Sequence, residues 1–126
     1  MDRSIAYLNG TFLPSNEVVL SPNDLGICRG YGVFDYLRTY DSVPFMVSRH
    51  MERFLRSCSA LDLELGQSVE ELCSLIDRLH GLNGRRDCAF RLIATGGEST
   101  DHFSLTGSPS LIILSEELPQ MNTDSF

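Results

Sequence analysis

Three short stretches hold side chains whose types and spacing could do chemistry. In His50-Met51-Glu52-Arg53 the imidazole and the guanidinium stand three residues apart, so on a helix both project to one side. A planar, permanently charged guanidinium makes a bidentate clamp for phosphate. Read by itself, Arg53 is better taken as a surface arginine paired with Glu52 or Glu64. In Val33-Phe34-Asp35-Tyr36-Leu37-Arg38 the period of a strand sends Phe34, Tyr36 and Arg38 to one face and Val33, Asp35 and Leu37 to the other. That row of two rings and a cation either lines a pocket for a small carboxylate or is core, with Arg38 reaching out to solvent. The loop Thr95 to His102 ends in an imidazole that, taken alone, is a solvated loop residue. All ten basic side chains are arginines. A chain without lysine has no ε-amino group to bond covalently to a carbonyl.

The elements that must position these groups follow from pattern. Tyr7-Leu8-Asn9-Gly10-Thr11-Phe12 predicts a hairpin with a type I′ turn at Asn-Gly, ended by Pro14-Ser15-Asn16. Val18 to Leu20 is expected to be a further short strand, and Ser21 to Gly30 a loop or single helical turn. Val33 to Tyr40 is β-branched and aromatic, a strand turning at Asp41-Ser42 into Pro44 to Val47. Ser48 is the expected N-cap of a helix running to about Leu61, with Met51, Phe54, Leu55, Cys58 and Leu61 on its apolar side. Ser68-Val69-Glu70-Glu71 is a capping box for a second helix, which buries Val69, Leu72, Leu75, Ile76 and Leu79 and ends at Gly81 to Gly84. Ala89 to Ala94 and the wholly apolar Leu111 to Leu114 are strands, the latter central, with the polar loop Gly96 to Pro109 between them. The order predicts an α+β fold, a mainly antiparallel sheet with two helices packed on one face. Residues 1–117 form one domain and 118–126 read as the start of a linker.

Composition narrows the function classes. With 42 % hydrophobic residues in 126, the chain can bury one core. A net charge of −7 with scattered arginines argues against nucleic acid, which needs a basic stripe. No apolar run nears the ~20 residues of a membrane span and no signal-peptide core follows Met1, so the chain is expected in the cytoplasm. Cys28, Cys58, Cys73 and Cys88 form no CxxC pair and lie in apolar patterns, as reduced core thiols do. The histidines stand at no metal-ligand spacing with them. Gly96-Gly97 has no amphipathic helix after it and reads as a turn rather than a phosphate cradle. Neither a Ser/His/Asp set nor a carboxylate pair supports hydrolysis.

Taken together, Tyr7-Leu8-Asn9-Gly10, Arg29-Gly30-Tyr31-Gly32-Val33-Phe34-Asp35, His50-Met51-Glu52-Arg53-Phe54 and Leu111-Ile112-Ile113 resemble the N-terminal small domain of the class IV (fold type IV) pyridoxal-phosphate enzymes. These include branched-chain and D-amino-acid aminotransferases and aminodeoxychorismate lyase. The resemblance implies that Arg53 binds the phosphate of pyridoxal 5′-phosphate and that Phe34, Tyr36 and Arg38 line the substrate pocket. Arg91 stands where branched-chain members carry a pocket arginine, although their tyrosine two residues earlier is Ala89 here. His102 fits the histidine that D-amino-acid enzymes set around the substrate carboxylate, while their arginine falls on Thr100. The family's Schiff-base lysine lies in a C-terminal domain. The resemblance therefore implies an aminotransferase acting on an amino acid and a 2-oxo acid, incomplete and inactive without that second domain, and typically a homodimer. The competing expectation is a non-catalytic module that binds a partner or a small anion.

Overall fold

The structure, a computed structural model, describes residues 4–119. The expected linker therefore lies mostly outside the described residues.

Local turn chemistry sets the strand pairs. Asn9 and Gly10, both at positive φ (47° and 98°), join β1 (Ile5–Leu8) to β2 (Thr11–Pro14), which is the type I′ geometry that suits strand twist. Asp41 and Ser42 repeat the device between β3 (Gly32–Tyr40) and the two-residue β4 (Val43–Pro44). A 3-10 turn at Ser15–Glu17 then carries the chain off the edge at β2. Val18 to Leu20 consequently has no ladder to join: the expected strand is irregular chain, and Val19 is exposed. The expected helical turn is α1 (Leu25–Arg29), capped by Asp24, whose Oδ1 accepts from the Gly26 N–H at 2.7 Å.

The two long helices are α2 (Val47–Ala60) and α3 (Val69–Asn83). Ser48 does not cap α2. Only Phe45 and Met46 separate β4 from the helix, and Met46 reverses the chain by taking a left-handed conformation (φ 52°), so the helix starts before Ser48. The capping box of α3 is formed, with the Glu71 N–H donating to Ser68 Oγ at 3.1 Å and the Ser68 N–H to Glu71 Oε1 at 3.2 Å.

β5 (Ala89–Thr95) and β6 (Ser110–Glu116) complete a six-stranded sheet in the order β2-β1-β6-β5-β3-β4, antiparallel throughout. Leu111 to Leu114 is central, as its unbroken apolar run requires. Leu37, Phe90, Leu92 and Ile113 on one sheet face meet Met51, Phe54, Cys58, Leu72, Ile76 and Leu79 of α2 and α3, and this is the core. The fold is the expected α+β one. Among the cysteines, Cys58 and Cys88 are buried and Cys73 half-buried, whereas Cys28 is exposed, because α1 turns it away from the core. All four are free thiols.

Candidate functional site

The position of β3 decides the geometry. It is covered on one side by β5 along Gly32 to Arg38, while β4 pairs only with Thr39 and Tyr40. Asp35 faces the helices beside that edge, between the apolar inward neighbours Val33 and Leu37. Its side chain is 3 % exposed, so its charge needs partners. Arg53 of α2 supplies them: Nε donates to Oδ2 at 3.0 Å and Nη2 to Oδ1 at 2.7 Å. The Tyr36 N–H donates to Oδ1 at 2.8 Å, and His50 Nδ1 lies 2.9 Å from the same oxygen. His50 Nδ1 is also 3.1 Å from Arg53 Nη2, a nitrogen that can only donate. Burial works to raise the Asp35 pKa, but these bonds and the arginine's charge hold it below the usual carboxylate value.

Arg53 thus pairs with Asp35 rather than with Glu52 or Glu64. The pairing uses one edge of the guanidinium, and the side chain remains 59 % exposed. Nη1 takes no part in these contacts.

Phe34, Tyr36, Arg38 and Arg91 come together on the sheet face opposite the helices. The register sets Phe34 beside Ile93 and Tyr36 beside Arg91. Phe34 is exposed, and it lines a hollow of about 320 Å³ with Arg91, Ile93, Gly32 and Thr95. The Arg38 guanidinium stacks on Tyr40 at 3.9 Å and its Nε donates to the Thr39 carbonyl. Arg91 lies over Tyr36 at 5.1 Å and its Nε donates to Glu116 Oε1. Arg53 reaches Asp35 from the helix side, so the sheet stands between it and this cluster, with the unpaired edge of β3 as the link.

His102 belongs to neither group. It sits at positive φ (61°) in the β5–β6 loop, with Nε2 2.8 Å from Asn23 Oδ1. Arg29 fastens the same loop, donating to the Phe103 carbonyl at 2.7 Å and stacking on its ring. A larger cavity, about 650 Å³, opens between the β1–β2 turn and this loop. Its charged lining is Asp24 and Glu98 with no arginine, which does not suit a phosphate or a carboxylate.

Residues 32–125 match the family model for amino-transferase class IV. The chain belongs to the class IV aminotransferase family. A D-alanine aminotransferase from Staphylococcus haemolyticus is 38 % identical over 91 residues, covering 72 % of this chain and 32 % of that protein. An aminodeoxychorismate lyase from Bacillus subtilis (strain 168) is 37 % identical over 81 residues, 64 % of this chain and 28 % of that one. Among solved structures, the branched-chain aminotransferase of the thermophilic archaeon Thermoproteus uzoniensis with norvaline superposes with a TM-score of 0.84 at 24 % identity, over 93 % of this chain and 41 % of that one, which establishes the fold. The class IV chain described here spans about a third of the length of the curated relatives it matches.

Sequence reasoning missed Asp35 as a member of the site. The signal was present: an acid at an inward strand position between Val33 and Leu37 demands a cation from the element packed on it.

Proposed function

We propose that this chain is the N-terminal, cofactor-clamping and substrate-gating domain of a pyridoxal-phosphate-dependent aminotransferase, moving an amino group between an amino acid and a 2-oxo acid. The observation that carries the reading is Arg53, whose guanidinium is held along one edge by Asp35 while its side chain stays 59 % exposed. That donor set suits a phosphate monoester. With no lysine, the chain fits the non-covalent part of the cofactor's attachment and not its covalent anchor. In this reading residues 1–117 are the small domain, 118–126 lead towards a lysine-bearing second domain, and the assembly is a cytoplasmic homodimer or a pairing with that domain.

When bound, pyridoxal 5′-phosphate supplies the electron sink for bond breaking at an amino acid's Cα. Arg53 would hold its phosphate. Phe34 and Tyr36 would exclude water from the substrate side, and Arg38 and Arg91 would orient a carboxylate, Arg91 after release from Glu116. His102 would join them only if the β5–β6 loop let go of Asn23. Proton transfer at Cα falls to the second domain.

The 37 % identity to the Bacillus subtilis lyase supports a second reading, the corresponding half of an aminodeoxychorismate-lyase-type enzyme. One experiment addresses both. The chain is mixed with pyridoxal 5′-phosphate, reduced with borohydride and weighed intact, then coexpressed with the lysine-bearing remainder of the Staphylococcus haemolyticus enzyme. The expected results are no side-chain adduct on the chain alone, labelling of the α-amino group aside, and 2-oxo acid formation from the pair. Pyruvate released from aminodeoxychorismate instead would favour the lyase. A chain that neither binds the cofactor nor supports turnover would be a non-catalytic module.

A further inference from the structure

The buried carboxylate beneath Arg53 has more partners than a structural ion pair needs. Asp35 Oδ1 receives Arg53 Nη2 and the Tyr36 N–H and lies beside His50 Nδ1, and Oδ2 receives Arg53 Nε. An arginine reaching into solvent would otherwise sample many rotamers and turn about its Cζ–Nε bond. Two parallel bonds to one carboxylate remove that freedom and fix the plane of the group. They also fix which edge is spent. With Nε committed to Asp35 and Nη2 shared between Asp35 and the neighbouring His50 Nδ1, the nitrogen left to receive an anion is Nη1.

We infer that Asp35 is the positioning residue of the anion clamp: it takes the inner edge of Arg53, so that Nη1 is presented in one orientation to a phosphate monoester. This rests on the reading of Arg53 as the phosphate ligand. Two effects of Asp35 oppose each other. Its negative charge weakens the attraction of any anion to Arg53, whereas its geometry spares the anion the entropy of ordering a loose side chain. The carboxylate lies across the guanidinium from the incoming anion, so the charge effect is the smaller and the geometric effect decides the sign.

The test titrates pyridoxal 5′-phosphate, and separately inorganic phosphate, into the 126-residue chain and its Arg53→Gln, Asp35→Asn and Asp35→Glu variants. Asp35→Asn is expected to lose about tenfold in affinity for both probes although it removes a negative charge, and Asp35→Glu to recover most of the loss. Arginine side-chain NMR of the wild-type chain is expected to show two separate Arg53 Nη signals, merged into one in Asp35→Asn while the backbone spectrum of the core is unchanged. Equal or tighter binding by Asp35→Asn with Arg53→Gln weakened would overturn the positioning role alone. Equal binding by wild type and Arg53→Gln, or none by wild type, would overturn the phosphate reading and this inference with it. A single averaged Arg53 Nη signal in the wild-type chain overturns the positioning role even if Asp35→Asn does not fold.

Discussion

Arg91 Nε donates to Glu116 Oε1 at 2.6 Å, a diagonal contact between neighbouring strands on the open sheet face. Glu116 thereby occupies the cation that the proposed function assigns to a substrate carboxylate. Both side chains are more than a third exposed, so the pair is worth ~0–1 kcal/mol. In the assembled two-domain enzyme Glu116→Gln should lower the substrate KM by up to about fivefold with kcat little changed. Steady-state kinetics decide this, and a raised KM would show that Glu116 itself assists the substrate.

Arg53 and Arg38 should differ in what they bind. Arg53→Ala in the assembled enzyme should weaken cofactor affinity about ten- to a hundredfold, the loss of a charge-assisted interaction of ~1.5–3 kcal/mol. Arg38→Ala should leave the cofactor bound and raise KM, because Arg38 lies with Tyr36 and Tyr40 on the other sheet face. Absorbance titration of both apo-variants is the measurement. Equal cofactor affinities would remove Arg53 from the phosphate.

Acid should weaken the fold in a defined direction. Asp35 is held below the ordinary carboxylate pKa as described, Asp87 by the Ser42 N–H and the Thr39 hydroxyl, and Asp101 by the N–H groups of Ser104 and Phe103. Each binds a proton more readily unfolded than folded, so its contribution is complete above the unfolded value of ~4 and is lost as pH falls through the folded value. Urea midpoints should hold steady from about pH 7 to about 5 and then drop, less steeply in Asp35→Asn. A midpoint that rises on acidification would contradict the sign.

Gly97 should tolerate no side chain. It lies at φ 75°, and a Cβ there would stand 1.9 Å from the Ser108 carbonyl oxygen. Its N–H donates to Thr95 Oγ1, which in turn donates to the buried Asp24. Gly97→Ala should cost at least ~1–3 kcal/mol. Gly81→Ala, on α3 with open space at its Cβ, should gain ~0.5–1 kcal/mol. Denaturant midpoints of the pair test the contrast.

Local chemistry could be read directly from the sequence, and pairing at a distance could not. The Asn9-Gly10 turn, the Ser68–Glu71 box and the central Leu111 to Leu114 strand each follow from a few adjacent residues. Val18 to Leu20 has strand propensity, but propensity needs a free edge within reach, and the 3-10 turn removes it. Nothing local announces the left-handed Met46, which displaced the expected Ser48 cap. The expectation that Arg53 binds phosphate came from the family resemblance of the His50 to Arg53 segment, not from its own surroundings in the sequence. Its actual protein partner stands 18 positions earlier, and only the packing of α2 on β3 joins the two.

β6 sits between β1 and β5, so Tyr7 waits for Ile113. In chain order the β1–β2 hairpin precedes β3, both long helices and β5, and its sheet neighbour β6 comes only after them. Until residues 110–116 emerge, β1 and β5 each present a bare edge to other nascent chains. Assembly of the sheet is thus non-local, a topology that folds slowly. Without residues 110–116 the sheet would fall into two parts, β2-β1 and β5-β3-β4, with no strand between them.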